Sequence, residues 1–375
     1  MEVHEAHETE PQSPEIEKIE ETLEPAVQTE EPEQEAKKVI PEVKPVTKPE
    51  PVSNPDDRKV IDVDQSREEY YSSLSEVLPA EKMPSVTLKS GYQMPKLAFG
   101  TYKLRGESCY MAVRSALKIG FRHFDTGSFY ENEEALGQAI RDSGVPREEI
   151  FVTSKIWRDA MTEEKAETAV EDIVRRLGIE YVDLILIHYP SPCDDFQPSL
   201  FNVHSKVDCS KARKDAWRGL EKAASHGWVR SIGVSNFELR HLEDILTMNR
   251  LPVCVNQIEG HPYYHPLASL KTFCSDKRIV VQNHTACSRG QAVTDPIIGE
   301  IAIEMNVKPI SVILQWAMGS NMCPVIRASS HDHMVDAIQS IAEYEEAPMS
   351  TNFTVLLDTL DLGMRCTRLK PDTVP

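Results

Sequence analysis

No run in the chain approaches 18 consecutive apolar residues, so no segment is expected to cross a membrane as a helix. The opening residues, MEVHEAHETE, lack the basic and apolar regions of a secretion signal. Eight cysteines, at 109, 193, 209, 254, 274, 287, 323 and 366, form no CxxC and no tight cluster, so no metal site is expected. They read as reduced, mostly buried thiols, which makes a cytoplasmic location the expectation. GxGxxG is absent, which excludes the usual signature of a Rossmann dinucleotide domain. A surplus of cations is also missing, because the net charge is -19 over 375 residues. Residues 1–83 hold 23 acidic and 9 basic groups, net -14, which leaves only -5 for residues 84–375. The acidity therefore belongs to the N-terminal stretch, and no large basic patch remains for nucleic acid or an anionic membrane.

Aromatics are scarce in that stretch too, with Tyr70 and Tyr71 alone against ten of the 25 prolines. Such a composition cannot bury enough apolar area to offset chain ordering. It predicts a disordered, acidic, Pro-rich tail over 1–83, free to engage a protein partner, ahead of one folded domain over 84–375. Within the tail, 67–78 (REEYYSSLSEVL) has two readings, the favoured one being a few apolar residues in a flexible tail and the other a short amphipathic helix that docks on something.

From residue 86 onward, short β-branched apolar runs alternate with amphipathic helical windows. Strands are predicted at 97–102, 123–127, 150–156, 182–188, 229–236, 254–259, 279–284 and 324–328. Helices are predicted at 106–119, 132–143, 162–177, 212–226, 238–248, 265–277, 293–305 with 309–319, and 331–345. Eight such units in about 250 residues is the count of a (β/α)8 TIM barrel, an α/β fold whose sites lie at the C-terminal ends of its strands. The segment 189–211 is long for a barrel loop and overhangs that face.

Polar residues closing buried strands are the informative feature, because apolar packing does not explain them. Asp125 closes the second strand, with Tyr130 in the loop that follows. Lys155 closes the third strand and His188 the fourth. Taken singly, these are a capping Asp, a rim Tyr, a paired Lys and a satisfied core His. Together they supply what carbonyl reduction requires, a proton for oxygen as hydride reaches carbon. A lysine ammonium beside the phenol is expected to lower its pKa from about 10, with a carboxylate holding the lysine charged. The imidazole is suited to orient the substrate oxygen or relay the proton.

These residues resemble the aldo-keto reductase family from about residue 86 to 365. LKSGYQMPKLAFGTY (88–102) is similar to the family's N-terminal hairpin and first strand. GFRHFDTGSFYENEEALG (120–137) resembles its most specific signature, and TSKIW and LIHYP bring the matching Lys and His. IGVSNF (232–237) and VNQIEGHPYYHP (255–266) resemble its nicotinamide-contacting segments. The resemblance implies an NADPH-dependent reductase of small-molecule aldehydes and ketones, with NADH as the other possible cofactor, and a monomer is the expectation for the chain. It assigns Tyr130 as general acid, Lys155 and Asp125 as its tuning pair, and His188 as orienter. It places Ser235, Asn236 and Gln257 on the nicotinamide carboxamide, Gly100, Thr101 and Tyr102 beside the ribose, and Trp157 on the substrate pocket wall.

Three departures touch the cofactor and the catalytic loop. NHTAC (283–287) stands where the family has AYSPL, so His284 replaces the stacking aromatic and can carry charge. VIRASSHDHMVDA (325–337) aligns Arg327, Ala328, His333 and Ala337 with the lysine, serine, arginine and asparagine of the family's 2'-phosphate site. Gly127 replaces a usual Ala and adds backbone freedom ahead of Tyr130. An intact tetrad beside such a pocket also permits a second reading, a barrel that has become a binding or scaffold protein acting through its tail and loops.

Overall fold

A computed structural model describes Tyr71, Leu74, Pro79 and residues 82–192, 208–248, 250–328, 330–367 and 370–375. Most of the acidic tail, including most of the docking stretch 67–78, and the overhanging loop at 193–207 lie outside the described residues.

An antiparallel hairpin, β1 (Ser85–Thr87) and β2 (Gln93–Pro95), precedes the barrel. Eight parallel strands follow: β3 (Ala98–Gly100), β4 (His123–Asp125), β5 (Phe151–Ile156), β6 (Val182–Ile187), β7 (Val229–Ser235), β8 (Val255–Glu259), β9 (Val280–His284) and β10 (Met322–Ile326). Each pairs with the next, and β10 returns to pair with β3, closing the sheet. Every residue of β5 and β6 is buried, as a parallel strand covered on both faces requires.

The surrounding helices are α1 (Gly106–Ile119), α2 (Glu133–Asp142), α3 (Glu163–Leu177), α4 (Cys209–Ser225), α5 (Leu239–Leu246), α6 (Ala268–Asp276), α7 (Pro296–Met305), α8 (Pro309–Gly319), α9 (His331–Glu346) and α10 (Thr351–Asp358). Their ends follow local chemistry. Thr162 caps α3 by accepting from the Lys165 N–H at 3.3 Å, and left-handed Gly178 ends it. Asp295 caps α7 ahead of Pro296, accepting from the N–H groups of Ile297 and Ile298. Gly137 lets α2 meet α3 closely, since a Cβ there would fall 1.7 Å from the Leu177 carbonyl oxygen.

All eight expected barrel strands are present. The last spans Met322–Ile326 instead of 324–328, so Pro324 lies inside the strand opposite Asn283. One element differs from the sequence reading. The helix α10 was not anticipated, and it buries Leu357 beside α8. Tyr71, Leu74 and Met83 are buried, so the packed structure reaches back before residue 84. Tyr71 donates to Met111 Sδ at 2.9 Å, and the Arg114 guanidinium lies 4.4 Å from its ring, which seats it on α1.

Candidate active site

Parallel pairing sets the strand ends of β4, β5 and β6 side by side, and this brings the four titratable residues of the tetrad together. Lys155, fully buried, points its ammonium at three acceptors: Asp125 Oδ1 at 2.6 Å, the Thr126 carbonyl at 2.8 Å and the Tyr130 hydroxyl at 3.3 Å. An ammonium has three N–H groups, so this count fits the charged form. Burial lowers the Lys155 pKa, and the charge and hydrogen bond of Asp125 oppose that shift.

The sequence reading placed the Tyr130 pKa below its usual value, and here the structure corrects it. Burial around the hydroxyl pushes it well above 10, and the negative charge of Asp125 and the neighbouring Tyr102 push the same way. The phenol therefore keeps its proton at neutral pH. His188 lies with its ring centre 5.7 Å from that of Tyr130. Burial, the charge of Lys155 and His284 all hold its pKa well below 6.5, so it is a neutral imidazole. Its Nδ1 is buried without a described partner.

Trp157 packs edge-on against His188 at 4.9 Å and stacks on Phe129 at 4.3 Å. Phe129 was missed in the sequence; its only signal is its place beside Tyr130 in the SFY turn. Gly127 is extended, with φ -178°, so the extra freedom expected of it is not used. What matters is its missing side chain, because a Cβ would sit 3.3 Å from Lys155 Cβ.

A second group gathers at the ends of β3, β7, β8 and β9. Thr101 donates from its hydroxyl to the Asp125 carbonyl at 3.0 Å, and Asn132 Nδ2 donates to the Thr101 carbonyl at 2.9 Å. Gly100 leaves no room for a side chain, with Val325 Cγ1 only 3.1 Å from a Cβ position, while Tyr102 is exposed. Ser235 Oγ donates to the Gln257 carbonyl at 2.8 Å. Gln257 Nε2 donates to Asp125 Oδ2 and to Gln282 Oε1, both at 2.7 Å, which links this group to the tetrad. Gln282 is a further residue that sequence reasoning missed, because a buried glutamine inside a strand carries no motif.

Asn236, left-handed at φ 61°, donates from Nδ2 to the His188 carbonyl at 2.9 Å and to Ser235 Oγ at 3.1 Å. Its Oδ1 can only accept, so His284 Nε2, 3.0 Å away, carries the proton. Burial pushes the His284 pKa down to about 4, with Lys155 acting the same way and Glu259 opposing. The charge expected as possible on His284 is thus absent at neutral pH. Arg327 follows β10 in an exposed position, and His333 is exposed in the first turn of α9, where Ser330 Oγ accepts from its backbone N–H at 3.3 Å. Both stand on the β10–α9 side, apart from the tetrad.

The sequence model of the aldo/keto reductase family matches residues 96–351, more than half of the chain. The chain belongs to that family. It is 38% identical over 245 residues to a glycerol 2-dehydrogenase (NADP(+)) of Saccharomyces cerevisiae, covering 62% of this chain and 78% of the relative. A glyoxal reductase of Bacillus subtilis is 32% identical over 269 residues, covering 72% and 90%. The crystal structure of an aldo/keto reductase from Brucella melitensis superposes with a TM-score of 0.66 at 28% identity, covering 74% of this chain and 98% of that one. The named relatives are reductases and dehydrogenases, which supports carbonyl reduction as the general chemistry of this family member. Among the described residues no helix is long and apolar enough to cross a membrane.

Proposed function

We propose that this aldo/keto reductase family member reduces aldehydes and ketones with NADPH, and that Tyr130 delivers the proton. The observation that carries this reading is the direction of the hydrogen bond between Lys155 and Tyr130. Lys155 can only donate, so the phenol oxygen accepts and keeps its own O–H for a carbonyl oxygen. As negative charge develops on that oxygen, Tyr130 releases its proton and the Lys155 ammonium stabilises the phenolate. Asp125 holds Lys155 in place and charged. His188, being neutral, orients the carbonyl through a ring N–H and does not supply the proton. Trp157 and Phe129 wall the substrate side and exclude water.

The donor set beside the tetrad fits a nicotinamide. Gln257 spends its amide N–H groups on Asp125 and Gln282, which leaves Oε1 to accept from a carboxamide N–H. Ser235 and Asn236 complete that contact, and Asn236 exchanges its bond to His284 to do so. Gly100, Thr101 and Tyr102 line the ribose side. The bound dinucleotide supplies the hydride. NADPH is favoured over NADH by Arg327, whose exposed guanidinium suits a 2'-phosphate, with His333 and the N-terminus of α9 nearby in sequence. The S. cerevisiae relative is named for NADP(+), which supports the same choice.

Dissociation constants for NADPH and NADH, measured on wild type and Arg327→Ala at fixed salt, test the assignment. A charge-assisted hydrogen bond contributes about 1.5–3 kcal/mol, so Arg327→Ala should weaken NADPH by about ten- to a hundredfold and leave NADH unchanged. Equal weakening of both would refute the phosphate contact. Failure of both dinucleotides to bind at millimolar concentration would favour a barrel that binds or scaffolds instead.

A further inference from the structure

Away from the tetrad, the last residue of β8 meets the C-terminal segment in a cluster that carbonyl reduction does not use. Glu259 is buried and accepts from the Cys366 N–H at 2.5 Å, the Thr367 N–H at 3.1 Å and the Thr367 hydroxyl at 2.5 Å. His261, two residues on, is fully buried and directs Nε2 at Glu259 Oε1 from 3.3 Å. Its Nδ1 has no partner among the described residues. A tight turn fixes that ring, since His261 and Tyr264 exchange backbone hydrogen bonds at 3.0 and 2.9 Å. Cys366 is partly exposed, so the cluster is reachable from solvent.

We propose that Glu259, His261 and Cys366 bind a thiophilic divalent cation of the Zn2+ type, with one ligand atom from each residue and a fourth position for water. The three ligand atoms lie within 4.8 Å of one another. In a tetrahedral site with metal–oxygen and metal–nitrogen bonds of about 2.0 Å, those two atoms stand about 3.3 Å apart. The Glu259–His261 separation already has that value, although it is long for a charge-assisted hydrogen bond. A thiolate bond of about 2.3 Å places sulfur about 3.6 Å from the other two ligands. A side-chain movement of Cys366 by about an ångström is enough to reach that spacing.

The mixed sulfur, nitrogen and oxygen set selects Zn2+ or Co2+ over Mg2+ or Ca2+, which prefer oxygen alone. Glu259 supplies the compensating charge. Burial by itself would raise its pKa, but hydrogen bonds from His261, Thr367 and Cys366 hold it down to about 2. Burial and Glu259 both raise the Cys366 pKa, with Arg289 opposing, so the thiol is protonated until an ion arrives. On binding, the S–H bond breaks, its proton passes to water and the sulfur electron pair forms the bond to the ion. His261 Nε2, whose hydrogen points at Glu259 before an ion binds, gives that proton up as the ring takes one on Nδ1 through water. The net proton count of the imidazole is unchanged, Nε2 offers its lone pair and no electron is transferred. The ligands Glu259 and His261 are 107 and 105 residues from Cys366, which hides the site from a search for close spacing.

Co2+ alone, titrated into the full chain without dinucleotide, tests this. The expected result is a saturable thiolate-to-cobalt charge-transfer band at one equivalent that Zn2+ displaces and Cys366→Ala abolishes. That substitution keeps the backbone N–H groups that bind Glu259, so the C-terminal segment stays anchored. As a second readout, Zn2+ should slow alkylation of Cys366, followed by peptide mass spectrometry, by about tenfold or more. No band, an unchanged band in Cys366→Ala, or alkylation of Cys366 indifferent to Zn2+ would overturn the proposal. None of these outcomes depends on whether the chain binds NADPH.

Discussion

Two opposed influences act on Tyr130. The Lys155 ammonium at 3.3 Å favours the phenolate, while burial and the Asp125 carboxylate behind the lysine favour the phenol. The phenol prevails, with a pKa raised well above 10, so the proton stays on oxygen across the neutral and mildly alkaline range. A tyrosinate absorbance titration of wild type minus Tyr130→Phe should show no step below a pH of about 10. A step near pH 8 would mean that Lys155 outweighs burial. This direction was not legible in the sequence. A motif shows which charged groups lie near Tyr130, but desolvation depends on the completed packing around it. The same holds for His284, whose neutral state and bond to Asn236 follow from burial and from a left-handed backbone at Asn236. Asp125, Lys155 and His188 were legible because a polar residue that ends an apolar strand has few explanations in a parallel barrel.

At the scale of elements, apolar periodicity marked every barrel strand, since buried parallel strands read as continuous β-branched runs. The boundaries moved where one residue argued against the pattern. Pro324 lacks an N–H and marked a strand start, yet it sits third in β10. The helix α10 was missed because TNFTVLLD buries only Leu357 and shows little helical stripe. Contact between helices leaves another kind of trace. At Gly137 an added Cβ would lie 1.7 Å from the Leu177 carbonyl oxygen, so Gly137→Ala must part α2 from α3. Overpacking of this kind costs about 1–3 kcal/mol, and Gly137→Ala should lower the thermal midpoint by several degrees. An unchanged midpoint would show that α3 shifts without loss.

The whole molecule couples the barrel to a short stretch ahead of it. Tyr71, Leu74 and Met83 are buried, and Tyr71 rests on Met111 and Arg114 of α1. Burying a large apolar side chain contributes about 1.5–3 kcal/mol. Removal of residues 1–70 should therefore leave the thermal midpoint unchanged, whereas removal of 1–83 should lower it by several degrees. Equal midpoints for the two truncations would show that the docking contributes nothing. Composition assigned residues 1–83 to a tail, and the apolar spacing of 67–78 hinted at docking, but a few apolar residues in an acidic stretch do not name the surface that they meet.

The central claim joins these scales: the barrel brings Asp125, Lys155, His188 and Tyr130 to one rim so that Tyr130 protonates a carbonyl. NADPH consumption on a small aldehyde, measured with NADPH affinity for wild type and Tyr130→Phe, tests it most directly. The account predicts turnover by wild type, a fall in kcat of about 10²–10⁴-fold in the variant, and nearly unchanged NADPH binding. Wild-type kcat in Tyr130→Phe, or a wild type that binds NADPH and reduces no aldehyde, would contradict it.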